Sequence, residues 1–206
     1  ETAKQKETLA PEQWKVIFTE AADMGINFSL IAGGEPFMRK DILEKIAEVK
    51  DMIFPIFTNG TLIGPSYIKF LKDHLNMVPI ISIEGTALRT DERRGLGVYK
   101  RAMQSMEMLK EENLFFGASI TVTTENYHLV TSPQFIDTLR GYGCKILFYV
   151  EYVPTEEGTE HLAFGDEHVA EMETLLEELR NTYADIIVHS FPGDEKALGG
   201  CLASGR

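Results

Sequence analysis

Cysteine is scarce in this sequence of 206 residues: only Cys144 and Cys201 occur, and they form no CxxC or other close pair. They build no disulfide framework, so a reducing compartment is the default. Positive charge is also short. The chain sets 20 lysines and arginines against 32 aspartates and glutamates, for a net charge of −12. No basic patch stands out to neutralise phosphates, so no nucleic-acid partner is expected. The acidity itself reads as a solubility device. Long hydrophobic runs are missing: segments 80–83 and 146–150 are strand-sized, far short of a bilayer span. No signal peptide is found. The expectation is a cytoplasmic protein with no membrane partner.

What remains is ordinary globular material. Apolar residues make up 44% and charged residues 25%, and the length suits one domain with a full-sized core. Helix and strand patterns alternate. Pro11 suits a first helical turn, and Trp14, Ile17, Ala21 and Met24 follow at helical spacing up to a stop at Gly25. Further helices are expected over 41–50, from Pro65 through Leu75, over 98–112, 133–142 and 166–183. Buried strands are expected over 27–32, 53–58, 78–84, 115–122, 145–152 and 186–189, with a charged loop from 85 to about 97. Strand starts recur roughly every 25 to 40 residues, the spacing of βα units in a parallel sheet. The runs are continuously apolar, as in strands covered on both faces. Six units fall short of a closed eight-stranded barrel, so the fold class read here is α/β, an open sheet or partial barrel of parallel strands.

Ligands of parallel β/α proteins bind at the C-terminal ends of the strands. Gly33-Gly34-Glu35-Pro36 follows the first strand. The glycines would let a ligand approach the backbone, and Glu35 would stand at the mouth; a plain tight turn is an equal reading. Thr58-Asn59-Gly60 follows the second strand, and taken alone reads as a turn with a left-handed glycine. The third strand ends Ser82-Ile83-Glu84-Gly85, and alternation puts Ser82 and Glu84 on one side. Of the charges beyond it, Glu92 and Arg93 read as solvated loop. The expected geometry is one cavity receiving the glycine pair, Glu35, Ser82 and Glu84.

In this order the residues resemble the radical S-adenosylmethionine (radical SAM) superfamily: GGEP at 33–36, TNG at 58–60, then Ser82-x-Glu84-Gly85 followed by Asp91 and Arg94. The resemblance implies a partial (β/α)6 TIM-like barrel. It also implies a [4Fe–4S] cluster held by a CxxxCxxC loop after the first strand, and reductive cleavage of S-adenosylmethionine to a 5′-deoxyadenosyl radical that takes hydrogen from substrate. By position Gly33, Gly34 and Glu35 would hold the methionine amino group, with Pro36, Thr58 and Asn59 beside them. Ser82 and Glu84 would lie near the ribose or carboxylate, and Arg94 would pair with the carboxylate. A sulfonium and an ammonium suit a carboxylate at the cleft mouth, and Glu35→Ala would then weaken cofactor binding and leave the fold intact.

The chain departs from the family in lacking CxxxCxxC, so the family's first strand and cluster loop are expected before Glu1. It also carries Glu84 where many relatives have Asp, and Thr90 where many have His. Segment 1–190 reads as the barrel core. Segment 191–206 reads as a linker into a SPASM or twitch extension, with Cys201 as an auxiliary-cluster ligand on the strength of Gly200-Cys201. Cys144 reads as core packing, and the five histidines show no shared metal spacing. Tyr149, Glu151 and Tyr152 are candidates for the adenine or substrate end. The resemblance leaves peptides, proteins and small molecules as substrates. Two readings compete with it: an inactive barrel that binds a nucleotide-like ligand or a protein, and a β/α-barrel lyase or aldolase, for which no catalytic lysine or metal set is found.

Overall fold

The computed structural model describes residues 9–194. Five parallel strands form one open sheet in the order β1 (Phe54–Thr58), β2 (Met77–Ile83), β3 (Gly117–Val122), β4 (Ile146–Glu151) and β5 (Ile187–Phe191). Helices α1 (Pro11–Asp23) and α2 (Lys40–Ile46) precede β1. Helix α3 (Pro65–Asp73) leads into β2, and α4 (Ala87–Arg94) with α5 (Val98–Glu111) leads into β3. Helices α6 (Tyr127–Val130) and α7 (Pro133–Gly141) lead into β4, and α8 (Asp166–Thr182) leads into β5. The βα alternation read from the sequence is therefore present. Among the described residues no helix is long and apolar enough to cross a membrane.

Each strand presents alternate residues to opposite faces, and in-register parallel pairing carries that choice across the sheet. One face packs on the helices and holds the main core, including Phe54, Ile56, Ile81, Ala118, Leu147 and Val188. The other, inner face has a smaller apolar cluster of Val78, Ile80 and Phe148 with Phe57, Ile146 and Phe191. Gly117 is required there: a Cβ would stand 2.9 Å from Ile80 Cδ1 and 2.8 Å from the Ile146 carbonyl. On the same face, Ser82, Ser119, Phe148 and His189 form one row across β2 to β5.

Two sequence expectations are corrected. Residues 27–32 lie beside β1 as expected but do not form a continuous strand. They make two isolated parallel bridges, Phe28 to Ile53 and Ile31 to Ile56. The ladder runs Ile53 N–H to Asn27 O, Ser29 N–H to Ile53 O, then Ile31 N–H to Pro55 O and Phe57 N–H to Ile31 O. The bond missing between these pairs would be donated by residue 55 to the Ser29 carbonyl, and a proline has no N–H. The described residues thus form five strands and an interrupted sixth.

The charged segment 85–97, read as a loop, contains α4. Thr86 caps it by accepting from Arg89 N. Asp91 then accepts from Gly97 N and Tyr99 N, both at 2.8 Å, and so fixes the corner into α5. Those amides, Tyr99 first, hold the Asp91 carboxyl below its ordinary value of 3.8.

Two predictions follow from these features. Pro55→Val supplies the missing donor, and hydrogen exchange at Ser29 and Ile31 is expected to slow; unchanged exchange would mean that proline is not what breaks the ladder. Because Asp91 binds its proton more weakly when folded, its contribution to stability is present above about pH 4 and is lost as pH falls below it. Asp91→Asn should therefore be less stable than the parent in urea at pH 6, with the gap narrowing toward pH 3.

Candidate functional site

The two motifs nearest the N-terminus meet through one carboxylate. Pro36–Met38 is a single 3-10 turn that starts with proline, and Glu35 caps it, Oε1 accepting from Phe37 N at 3.1 Å. The same oxygen accepts from Thr58 Oγ1 at 2.8 Å, and Oε2 accepts from Asn59 N at 2.9 Å. Thr58 Oγ1 in turn accepts from Gly60 N, and Asn59 Oδ1 accepts from Thr61 N and Thr61 Oγ1. Gly60 has φ 76° and packs against Ile81 and Ala102, which is why this turn takes glycine. Tyr67 donates to the Phe37 carbonyl and stacks edge-on against its ring, holding the turn from α3.

Glu35 is therefore an internal clasp between GGEP and TNG, and its oxygens are already engaged by protein donors. Gly33 and Gly34 are different. They are exposed, a Cβ at either would meet nothing within 4 Å, and among the described residues their peptide groups have no hydrogen-bond partner.

The second centre lies at the end of β2. Glu84 is buried, with its side chain 4% exposed. Its Oε1 accepts from Arg94 Nε at 2.8 Å and lies 2.6 Å from the second guanidinium nitrogen, while Oε2 accepts from Arg93 at 3.3 Å. The Glu84 amide donates to Thr90 Oγ1. Buried charge demands such partners. Thus Arg93, read as a solvated loop residue, is a partner of Glu84 and also stacks over the Tyr152 ring at 5.6 Å. Arg94 is held by protein.

The single cavity expected from sequence is not formed by the described residues. Gly33, Gly34, Glu35 and Pro36 line a hollow of about 480 Å³ against Trp14 and Phe18 of α1 and against α2. Ser82 is on the inner face, and Glu84 lines a separate polar depression of about 620 Å³ with Arg93, Thr123, Asn126 and Tyr152. Alternation explains the split: Thr58, to which Glu35 is tied, shares the helix-side face with Phe54 and Ile56.

The adenine-end candidates also divide. Tyr149 points into the helix-side core and donates to the Val130 carbonyl, and Glu151 lines a small space beside Phe164 and Met172 under α8. Only Tyr152 reaches the polar depression. Cys144 is fully buried, as expected, and burial pushes its thiol up to about 12. Cys201 lies outside the described residues. Among the described residues no group of three His, Cys, Asp or Glu side chains could hold a metal ion. Sequence reading missed His189, whose place in the Ser82 row requires the strand register.

Glu35→Ala would leave the Thr58 hydroxyl and the Phe37 and Asn59 amides without their acceptor. A loss of about 1–3 kcal/mol is expected by denaturant unfolding, with a smaller loss for Glu35→Gln. The variant is expected to fold, as read from the sequence, but with this cost in stability; an Ala variant as stable as the parent would contradict the clasp.

The family model described as Radical SAM superfamily matches residues 2–136. Fe-coproporphyrin III synthase of Methanosarcina barkeri is 33% identical over 134 residues, which is 64% of this chain and 33% of that protein. PqqA peptide cyclase of Granulibacter bethesdensis is 26% identical over 143 residues, 66% of this chain and 37% of that protein. The chain thus spans about a third of the length of these relatives. Streptococcus suis SuiB bound to S-adenosylmethionine superposes with a TM-score of 0.76 at 18% identity, covering 92% of this chain and 45% of that one. A structure of anSMEcpe with bound AdoMet gives 0.69 at 17% identity, covering 91% and 54%. Such low identities speak to the fold, a partial TIM-like barrel. The family match, spanning most of the chain and both the GGEP and TNG motifs, makes this chain a member of the radical SAM superfamily.

Proposed function

We propose that this chain is the S-adenosylmethionine-holding core of a radical SAM oxidoreductase or maturase. The observation that carries the reading is the family match over residues 2–136, which spans the glycine pair, the clasp and the Ser82–Glu84 strand end. In it, the exposed Gly33 and Gly34 carbonyls accept from the methionine ammonium. Glu35, Pro36, Thr58 and Asn59 hold that loop in place. In this reading one ligand has to bridge the two hollows across the strand ends: Ser82 faces the ribose on the inner face, and Arg94, backed by Glu84, presents its free donors to the methionine carboxylate, away from the Gly33 and Gly34 carbonyls. The partly unpaired backbone and the buried carboxylate–guanidinium pair fit the cofactor's charges.

The family's second group, a [4Fe–4S] cluster that supplies the electron for cofactor cleavage, does not fit the residues present. Thiolates are its ligands, yet the 206 residues hold two cysteines and Cys144 is sealed in the core. Cys201 is assigned, on the Gly200-Cys201 step, to an auxiliary-cluster extension of the whole protein.

The names of the sequence relatives divide the substrate class. PqqA peptide cyclase favours a peptide or protein, which is our reading for the whole protein. The 33% identity to Fe-coproporphyrin III synthase favours a tetrapyrrole as the second. An inactive barrel is weighed down by enzyme-named relatives in every sequence match cited.

The test uses the full-length protein, reconstituted anaerobically with iron and sulfide and then reduced. It is expected to yield 5′-deoxyadenosine and methionine from S-adenosylmethionine. A fully assembled cluster giving neither product would overturn the proposal. Arg94→Met should weaken cofactor binding by about tenfold in calorimetry, the loss of one charge-assisted pair.

A further inference from the structure

We propose that His189, oriented by Asp194, is a ligand-contacting group of the inner face that accepts an N–H or O–H from a molecule with a flat apolar side lying across β4 and β5. The inference deepens the proposed function and rests on its reading of the inner face as the ligand cavity.

His189 occupies the β5 position of the row that begins at Ser82, paired with Phe148 on β4. Its ring meets Phe148 and Phe191 edge-on, at 5.7 and 4.5 Å between centroids. Those two phenylalanines are nearly parallel to each other, 13° apart. They make an apolar wall with one polar ring in it. Nδ1 of His189 stands 3.2 Å from Asp194 Oδ2. Asp194 is itself fixed: both its oxygens receive Arg180 at 2.8 Å, and Oδ2 also accepts from Ser190 N at 2.8 Å. Arg180 is anchored in turn by donating from Nε to the Val188 carbonyl.

A carboxylate beside Nδ1 favours the proton on that nitrogen and leaves the lone pair on Nε2. Among the described residues Nε2 has no hydrogen-bond partner, and the His189 side chain is 32% exposed. A histidine that only packed would not need a carboxylate held by Arg180 and the Ser190 amide to set its orientation. A hydrogen-bond donor is therefore the matching ligand chemistry. Two sources offer it: the adenine amine of S-adenosylmethionine, and an amide or hydroxyl of the substrate.

The test is diethylpyrocarbonate labelling of the full-length, cluster-loaded protein, read at His189 by mass spectrometry, in which a free imidazole lone pair is the nucleophile. His189 is expected to label, and Asp194→Asn, which removes the preference for the Nδ1 proton, is expected to slow labelling about tenfold. Protection by S-adenosylmethionine alone identifies the adenosyl group as the source. Protection by millimolar N-acetyl-L-phenylalaninamide identifies a peptide-like substrate. No labelling in the parent, or protection by neither probe, overturns the inference. If Asp194→Asn fails to fold by circular dichroism, His189→Gln decides: the protecting probe must bind it more weakly than it binds the parent. S-adenosylmethionine affinity, measured by calorimetry on the same preparation, separates failure of this inference from failure of the proposed function.

Discussion

Everything in this fold that concerns function depends on parallel pairing in register. The pairing is not itself chemical, yet it decides which of two neighbouring residues on a strand meets the helices and which meets the inner face. Ser82 pairs with Ser119, Ser119 with Phe148 and Phe148 with His189, so one row of the inner face is assembled from four strands. A slip of one residue would send each of these side chains to the other side. Gly117 shows how tightly the arrangement is drawn, because a single added carbon would strike Ile80 and the Ile146 backbone.

Within that frame two acidic residues have opposite employments. Glu35 is spent on backbone and hydroxyl donors that join two loops. Glu84 is spent on two guanidinium groups from one short helix. In both cases a carboxylate near a strand end organises its surroundings and leaves other atoms to face a ligand. The peptide groups of Gly33 and Gly34 are the ones left without a protein partner among the described residues. A motif acid at a strand end is easily read as a direct contact, and here the nearby donors of the fold take it first, since an ionised group in a partly closed site needs immediate partners.

How much of this was legible in the sequence varies by element. The βα alternation, the proline-started helices and the order of the GGEP, TNG and Ser-x-Glu motifs were readable because each rests on local spacing. The helix over 87–94 was missed because its strongly charged composition masks the Thr86 cap and the Asp91 lock, both of which act through contacts a few residues away. The strand over 27–32 was read too strongly. Its own residues are apolar enough, but its partner carries Pro55, and the lost donor belongs to the neighbouring chain segment. Arg93 and His189 were passed over as ordinary because each gains its meaning from a residue on another element.

The sequence by itself therefore determined the class of the fold, the family and the strand-end positions at which chemistry could occur, since hydrophobic period and turn residues are local properties of the chain. Tertiary structure alone decided which of those side chains face one another. It turned Glu35 toward Thr58 and Asn59, closed Arg93 and Arg94 onto Glu84, and brought His189 into line with Ser82. Those outcomes depend on strand register and on which donor lies nearest, and neither is written in the spacing of residues along the chain.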